Sequence, residues 1–136
     1  QIALGIAMEK PDRKVYCIDG DGAIFMHTGS LGIIGDLQPK NFKHLVINNG
    51  AHDSVGGQRT IGVNVNISKI AQNFQYKETY TIKSISEFKK NLLKIKNSDG
   101  PILTEVLVNK GCREDLGRPT TSPVENKDSF KSFLKE

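Results

Sequence analysis

The residues best suited to chemistry form a short turn, Gly20-Asp21-Gly22-Ala23. The run Lys14–Asp19 before it predicts a buried parallel strand, and the carboxyl end of such a strand is where α/β folds bind ligands. Glycines let a backbone approach a phosphate, and the N-terminus of a following helix would favour an anion. A carboxylate at Asp21 fits beside a phosphate if Mg²⁺ lies between the two groups. A tight turn with residues chosen for the backbone is the alternative.

A second strand end offers further oxygen ligands. The residues His44–Ile47 predict a strand that runs into Asn48-Asn49-Gly50, with 25 residues between Gly22 and Asn48. That length suits one crossover and its return strand, so both strand ends are expected at the same edge of a sheet. An octahedral Mg²⁺ site for a diphosphate would be complete with six oxygens. They would come from one carboxylate, one amide, one backbone carbonyl, two phosphate oxygens and a water. Spacing alone leaves open which asparagine is the ligand.

Other known ligand-binding motifs do not match the sequence at these positions. A dinucleotide fingerprint needs a glycine three residues after Gly22, where Phe25 stands, and the sequence has no Gly-Lys-Ser/Thr of a P-loop. An EF-hand loop beginning at Asp19 would place Ala23 at its fifth position, which must supply an oxygen. Asn66-Ile67-Ser68 matches a glycosylation sequon, but nothing else in the sequence indicates secretion.

The elements that would position these groups alternate between strand and helix. Strands are predicted over 14–19, 44–47, 76–82 and 101–108, and helices over 1–9, 29–37, 67–74 and 86–97, with a short closing helix near 130–134. A Gly-rich loop over 50–62 joins the second strand to the third helix, and Ser86 is the predicted N-cap of the fourth helix. This order predicts one α/β domain over residues 1–136, with three layers and a mostly parallel sheet.

Composition and charge exclude several classes of protein. No apolar run approaches the ~20 residues of a membrane span, and Gln1–Met8 is too short for a signal peptide. Cys17 and Cys112 have no nearby Cys or His at zinc spacing, which favours two free thiols and a cytoplasmic location. The net charge of +4 comes largely from lysines on one face of the predicted helix 86–97, so nucleic-acid binding is not expected.

Gly20-Asp21-Gly22 followed by about 25 residues and Asn48-Asn49 resembles the cofactor signature of thiamine diphosphate-dependent enzymes. Three segments make the resemblance more specific, because together they are similar to the phosphonopyruvate decarboxylases: GDGAIFMHTGSLGIIG, NNGAHDSVGGQRT and GCREDLGRPTTSPVENK. Sulfopyruvate decarboxylases are close relatives of that family. Nearly the whole chain aligns with the family's C-terminal, diphosphate-binding domain, which implies the thiamine diphosphate-binding fold.

The resemblance assigns ligands by position. Asp21, Asn49 and the carbonyl of Ala51 would hold Mg²⁺, and the backbone N–H groups of Gly22-Ala23 would bind the diphosphate. Asn48 would support the loop. The implied activity is that of a carboxy-lyase, which converts 3-phosphonopyruvate to phosphonoacetaldehyde and CO₂. A sulfopyruvate decarboxylase subunit and a non-catalytic cofactor-binding fragment are the alternatives.

The substrate would need further groups. His52 directly follows the ligand loop and is the candidate catalytic acid, base or hydrogen-bond donor, with a loop histidine bonded to backbone as the alternative. Arg113 and Arg118 suit a phosphonate, although a surface or subunit-interface ion pair explains them as well.

The resemblance also implies a partner for this chain. The family's activating glutamate belongs to a preceding pyrimidine-binding domain, which the sequence lacks. We therefore expect a pyrimidine-binding domain or subunit as partner and a small 2-oxo acid as substrate. We also expect the assembly to be a homo-oligomer and the isolated chain to be inactive.

Overall fold

A parallel sheet forms the centre of the fold, which the computed structural model describes for residues 1–135. The strands are β1 (Val15–Gly20), β2 (Phe42–Asn48), β3 (Ala51–His52), β4 (Gln58–Arg59), β5 (Glu78–Ile82) and β6 (Ile102–Leu107). Four of them form the parallel sheet in the order β1-β2-β6-β5, and β3 pairs with β4 in an antiparallel ribbon. The predicted α/β class is confirmed. Glu136, the last residue of the predicted domain, lies outside the described residues.

Helices surround the parallel sheet. They are α1 (Ile2–Glu9), α2 (Asp21–Met26), α3 (Gly29–Leu37), α4 (Ile67–Asn73), α5 (Ile85–Asn97) and α6 (Pro123–Phe133). Single 3₁₀ turns span Asp53–Val55 and Ile61–Val63 in the Gly-rich loop. None of the helices in residues 1–135 is long and apolar enough to cross a membrane.

Two helix starts differ from the sequence prediction. The N-cap of α5 is Ser84, so the prediction of Ser86 was wrong. The Ser84 hydroxyl accepts the Glu87 N–H at 3.2 Å, and the Glu87 carboxylate accepts the Lys83 N–H at 2.7 Å. Ser86 has a lysine three residues later, which cannot accept a backbone N–H. The closing helix starts earlier than predicted because Ser122 and Glu125 form a complete capping box.

The main core lies on one face of the sheet. Side chains along each strand point alternately to the two faces of the sheet. The side chains on one of these faces pack under α1, α2, α3 and α4. The buried cluster on that face comprises Leu4, Ala7, Ile24, Leu31, Ile34, Phe42, Val46, Ile67, Ala71, Tyr76 and Leu103. On the other face, Lys94 of α5 contacts Glu78 and Tyr80 of β5, while Ile18 of β1 is 68% exposed. The helices therefore cover the two faces unequally.

The strand register positions the two polar strand ends. Gly20, the last residue of β1, pairs with Ile47 of β2, and Asn48 is the next residue of β2. Asp21 and Asn48 therefore leave the sheet at the same edge, as the spacing between the two motifs predicted.

Candidate functional site

Asp21 lies at the bottom of the candidate site. It is the first residue of α2 and is 1% exposed. Its carboxylate accepts a hydrogen bond from the hydroxyl of Thr60. Within residues 1–135, no salt bridge involves Asp21. A buried carboxylate without a cationic side chain is costly, so this position fits a metal ion that compensates the charge.

Asn48 is buried beside Asp21 and is hydrogen-bonded at both ends of its amide. Its Nδ2 donates to the Gly62 carbonyl at 2.9 Å and to Glu105 Oε1 at 2.8 Å. Its Oδ1 accepts the N–H of Gly50 at 3.1 Å. The side chain therefore fixes the start of the Gly-rich loop against β6, as expected for a supporting residue.

The side-chain oxygens of Asp21 and Asn48 converge on Gly62. A Cβ placed on Gly62 would lie 2.5 Å from Asp21 Oδ2, 2.6 Å from Asn48 Oδ1 and 3.0 Å from Thr60 Oγ1. Any side chain at this position would displace those oxygens. Sequence reasoning missed Gly62, because only the fold brings the end of the Gly-rich loop back over the start of α2.

Asn49 occupies a different position from Asn48. It is half-buried, and its Nδ2 donates to Asp53 Oδ2 at 2.9 Å. Its Oδ1 accepts the N–H of Ala51 at 3.0 Å. Ala51 itself is buried and pairs with Arg59 in the β3-β4 ribbon. The structure thus joins Asn49 to Ala51 directly, and their role as metal ligands stays a prediction.

His52, the last residue of β3, lies against the first turn of α2. A Cβ on Gly22 would be 2.5 Å from Cε1 and 2.6 Å from Nδ1 of the His52 ring. Gly22 is buried, like Asp21 before it, whereas Gly20 and Ala23 are exposed. The structure therefore brings the candidate catalytic residue to the predicted diphosphate-binding turn.

Glu105 is a buried carboxylate that sequence reasoning missed. It lies on β6, is 1% exposed, and accepts hydrogen bonds from Asn48 and from the Ser68 N–H at 3.3 Å. The Thr81 hydroxyl lies 3.5 Å from its Oε2. An acidic residue inside an apolar strand, Ile102–Leu107, was the available signal. Glu105 links Asn48 to α4 and β5.

The two candidate arginines are exposed. Arg113 forms a surface ion pair with Asp115 at 3.2 Å, which matches the structural alternative, and Arg118 is also exposed. The segment before them is fixed to the loop that carries His52, because the Gly111 N–H donates to Asp53 Oδ2 at 2.7 Å. The exposed tail therefore starts beside the candidate site.

Comparisons with known proteins identify the family of this chain. Residues 1–106 match the family model of the thiamine pyrophosphate enzyme, C-terminal TPP binding domain. The chain is 36% identical to a phosphonopyruvate decarboxylase of Streptomyces viridochromogenes over 133 residues, which cover 98% of this chain and 33% of the relative. It is 41% identical over 99 residues to sulfopyruvate decarboxylase subunit beta of Methanocaldococcus jannaschii, covering 72% of this chain and 52% of that subunit. The chain spans about one third of the length of the phosphonopyruvate decarboxylases it matches.

Two solved structures share the fold of this chain. A structure described as a thiamin diphosphate-dependent enzyme from Mycobacterium smegmatis matches with a TM-score of 0.66 and 26% identity, covering 81% of this chain and 20% of that chain. Transketolase from Campylobacter jejuni matches with a TM-score of 0.57 and 19% identity, over 77% of this chain and 18% of that one. The second likeness concerns the fold alone.

Proposed function

Because the chain belongs to the thiamine pyrophosphate enzyme family, as its C-terminal TPP binding domain, we propose that it holds the diphosphate of thiamine diphosphate through Mg²⁺. The observation that carries this proposal is the buried carboxylate of Asp21, which no cationic side chain of residues 1–135 pairs. Mg²⁺ takes few protein oxygens and shares its coordination with phosphates, so it suits this position.

Asp21, the amide oxygen of Asn49 and the carbonyl of Ala51 are the proposed metal ligands. Only Asp21 carries charge, and the two other groups are neutral, so the protein leaves the cation free to attract a diphosphate. The Gly20–Ala23 turn lets the backbone come close to that diphosphate. In the present arrangement Asn49 Oδ1 is bonded to the Ala51 N–H at 3.0 Å, which keeps the two ligand residues together.

The chemistry that thiamine diphosphate supplies when bound is a nucleophilic carbon and an electron sink for the decarboxylation of a 2-oxo acid. The chain's own residues bind and orient. His52 is the proposed hydrogen-bond donor or proton carrier toward the substrate, because its ring lies over Gly22 at the diphosphate-binding turn.

We propose that the full-length protein decarboxylates 3-phosphonopyruvate to phosphonoacetaldehyde. The support is 36% identity to a phosphonopyruvate decarboxylase along 98% of this chain. Sulfopyruvate is the second candidate, since subunit beta of sulfopyruvate decarboxylase is 41% identical over a shorter stretch. Both substrates are 2-oxo acids with a second anionic group, and His52, Arg113 and Arg118 are the proposed candidates for meeting that group.

A pyrimidine-binding domain or subunit is the proposed partner. The relatives named phosphonopyruvate decarboxylase are about three times as long as this chain, and other relatives are named as beta subunits. Those names support a multi-subunit arrangement, and we propose a homo-oligomer. Cytoplasmic location, expected from the two free cysteines, stays a prediction.

Turnover by the full-length protein tests this function. We expect aldehyde formation from phosphonopyruvate that requires both thiamine diphosphate and Mg²⁺, with lower kcat/KM for sulfopyruvate and pyruvate. A higher kcat/KM for sulfopyruvate would make the second candidate the function. Cofactor binding without turnover of any 2-oxo acid would contradict the proposal that the protein is an enzyme. It would favour the alternative of a non-catalytic cofactor-binding protein.

A further inference from the structure

Three side chains outside the proposed magnesium site meet on the helix-covered face of β1 and β2. They are Cys17, Asp19 and His44. Parallel pairing sets Cys17 directly beside His44, and Asp19 lies two residues along the same strand face. His44 Nε2 is 2.8 Å and Cys17 Sγ is 3.4 Å from Asp19 Oδ2. All three donor atoms lie within 4.8 Å of one another.

His44 is oriented through its other ring nitrogen. Its Nδ1 lies 3.2 Å from the hydroxyl of Tyr76, and both residues are buried. Burial raises the pKa of Tyr76, so the hydroxyl stays protonated and its oxygen can accept the Nδ1 proton. Histidines that bind metals have such a partner, which fixes the tautomer with a lone pair on the opposite nitrogen. In the metal-free protein the Nε2–H donates to the Asp19 carboxylate at 2.8 Å, so an ion bound at Nε2 would shift the ring proton to Nδ1, where the Tyr76 oxygen accepts it.

The cluster faces open space. Cys17, Asp19 and His44 line a cavity of about 380 Å³ together with residues of α2 and α3 such as Ala23 and Leu31. An ion held by the three side chains would therefore have protein ligands on one side and room for a fourth ligand on the other.

We propose that Cys17, Asp19 and His44 form a zinc site that is separate from the magnesium site at Asp21. Sulfur, imidazole nitrogen and carboxylate oxygen are ligands that Zn²⁺ takes, whereas Mg²⁺ prefers oxygen alone. Donor atoms of a tetrahedral zinc site stand roughly 3.3 to 3.6 Å apart, so small side-chain rotations suffice here. Three protein ligands and an open fourth position are typical of a zinc ion that binds water or a small ligand.

Cys17 would bind the ion as a thiolate. Burial and the neighbouring Asp19 raise the pKa of the Cys17 thiol to about 11, so the metal-free protein carries the protonated thiol at neutral pH. The S–H bond breaks as the sulfur–zinc bond forms, and one proton passes to the buffer for each ion bound. No change of oxidation state is involved.

Cobalt(II) in place of Zn²⁺ tests this site, because a thiolate-to-cobalt charge-transfer band arises only where sulfur is a ligand. We expect the full-length protein, titrated with Co²⁺ in excess Mg²⁺, to develop this band at one equivalent and to lose it when Zn²⁺ is added. Cys17→Ser removes the band, and Tyr76→Phe lowers the affinity about tenfold to a hundredfold. Cys112→Ser, which changes the exposed free cysteine, leaves the band unchanged.

Three results would overturn the zinc site: no sulfur band in the wild type, loss of the band in Cys112→Ser, or its retention in folded Cys17→Ser. If circular dichroism shows that Cys17→Ser does not fold, Asp19→Asn and Tyr76→Phe decide, and unchanged cobalt affinity in both contradicts the proposal. The readout needs neither turnover nor thiamine diphosphate, so a failure of the zinc site is distinguishable from a failure of the proposed function.

Discussion

The imidazole of His52 lies directly over the Cα of Gly22, so that a Cβ at that position would be 2.5 Å from His52 Cε1. The two residues come from different elements, because Gly22 is the second residue of α2 and His52 is the last residue of β3. Their contact couples the candidate substrate-facing residue to the backbone that is proposed to bind the diphosphate. The absence of a side chain at residue 22 is what permits this contact.

His52→Ala in the full-length enzyme is expected to lower kcat/KM for phosphonopyruvate about tenfold to a hundredfold, because a charged hydrogen bond contributes roughly 1.5 to 3 kcal/mol. Affinity for thiamine diphosphate should change much less. Steady-state kinetics and calorimetry measure the two effects. His27→Ala, which alters an exposed histidine, is the control. Unchanged phosphonopyruvate turnover in His52→Ala would return His52 to the role of a loop residue.

Asp21→Ala is expected to abolish Mg²⁺-dependent binding of thiamine diphosphate. The remaining proposed ligands are neutral and would hold Mg²⁺ too weakly for the ion to bridge the protein and the diphosphate. Calorimetric titration with and without Mg²⁺ measures the affinity for thiamine diphosphate. The matched control is Asp36→Ala, which changes an exposed aspartate of α3. Equal affinity in the wild type and in Asp21→Ala would refute the ligand assignment.

Gly62→Ala and Gly35→Ala should separate binding from folding. The added methyl at Gly62 would meet Asp21 Oδ2 at 2.5 Å and Asn48 Oδ1 at 2.6 Å, so we expect cofactor affinity to fall roughly tenfold or more, about 1.4 kcal/mol. At Gly35 the methyl would overlap the Phe74 carbonyl, which is not a proposed ligand, and should lower the free energy of unfolding by about 1 to 3 kcal/mol. Cofactor affinity of Gly62→Ala equal to that of the wild type would contradict the convergence of the two oxygens.

Local sequence signals predicted the parts of the fold that depend on neighbouring residues. The β-branched run before Gly20 and the spacing to Asn48 gave the parallel strands and the shared sheet edge, which the register confirms. The N-cap of α5 was misplaced because Ser84 and Ser86 are chemically alike, and the hydrogen bonds of Glu87 select the first. Boundaries of this kind depend on one or two contacts.

The contacts that complete the candidate site join residues far apart in the chain. Glu105 meets Asn48 across 57 residues, and Thr60 meets Asp21 across 39. The sequence alone also placed no ligand near Cys17, because His44 becomes its neighbour only when β1 pairs with β2. Periodicity and motif spacing report on single elements, whereas these pairs depend on how the elements pack.

Glu105→Gln tests the buried link between β6 and the loop. The variant replaces a charged acceptor of the Asn48 amide and of the Ser68 N–H, so we expect the free energy of unfolding to fall by roughly 1.5 to 3 kcal/mol. Cofactor affinity should fall as well, because Asn48 would lose its fixed orientation. Urea unfolding and calorimetry measure both quantities, and Glu9→Gln at an exposed position is the control. A stable variant with wild-type affinity would show that the Gly62 carbonyl and the Gly50 N–H suffice to hold Asn48.

Cys17 and Cys112 should react with iodoacetamide at very different rates in the metal-free protein. Burial and Asp19 raise the pKa of Cys17 to about 11, and its charged form is disfavoured, so only about one Cys17 in a thousand is a thiolate at pH 8. Cys112 is exposed. Because thiolate is the reacting species, the rate at Cys17 should rise about tenfold per pH unit as the pH increases toward that pKa. Mass spectrometry of timed samples resolves the two sites, and equal alkylation rates at pH 8 would contradict the buried, protonated state of the Cys17 thiol.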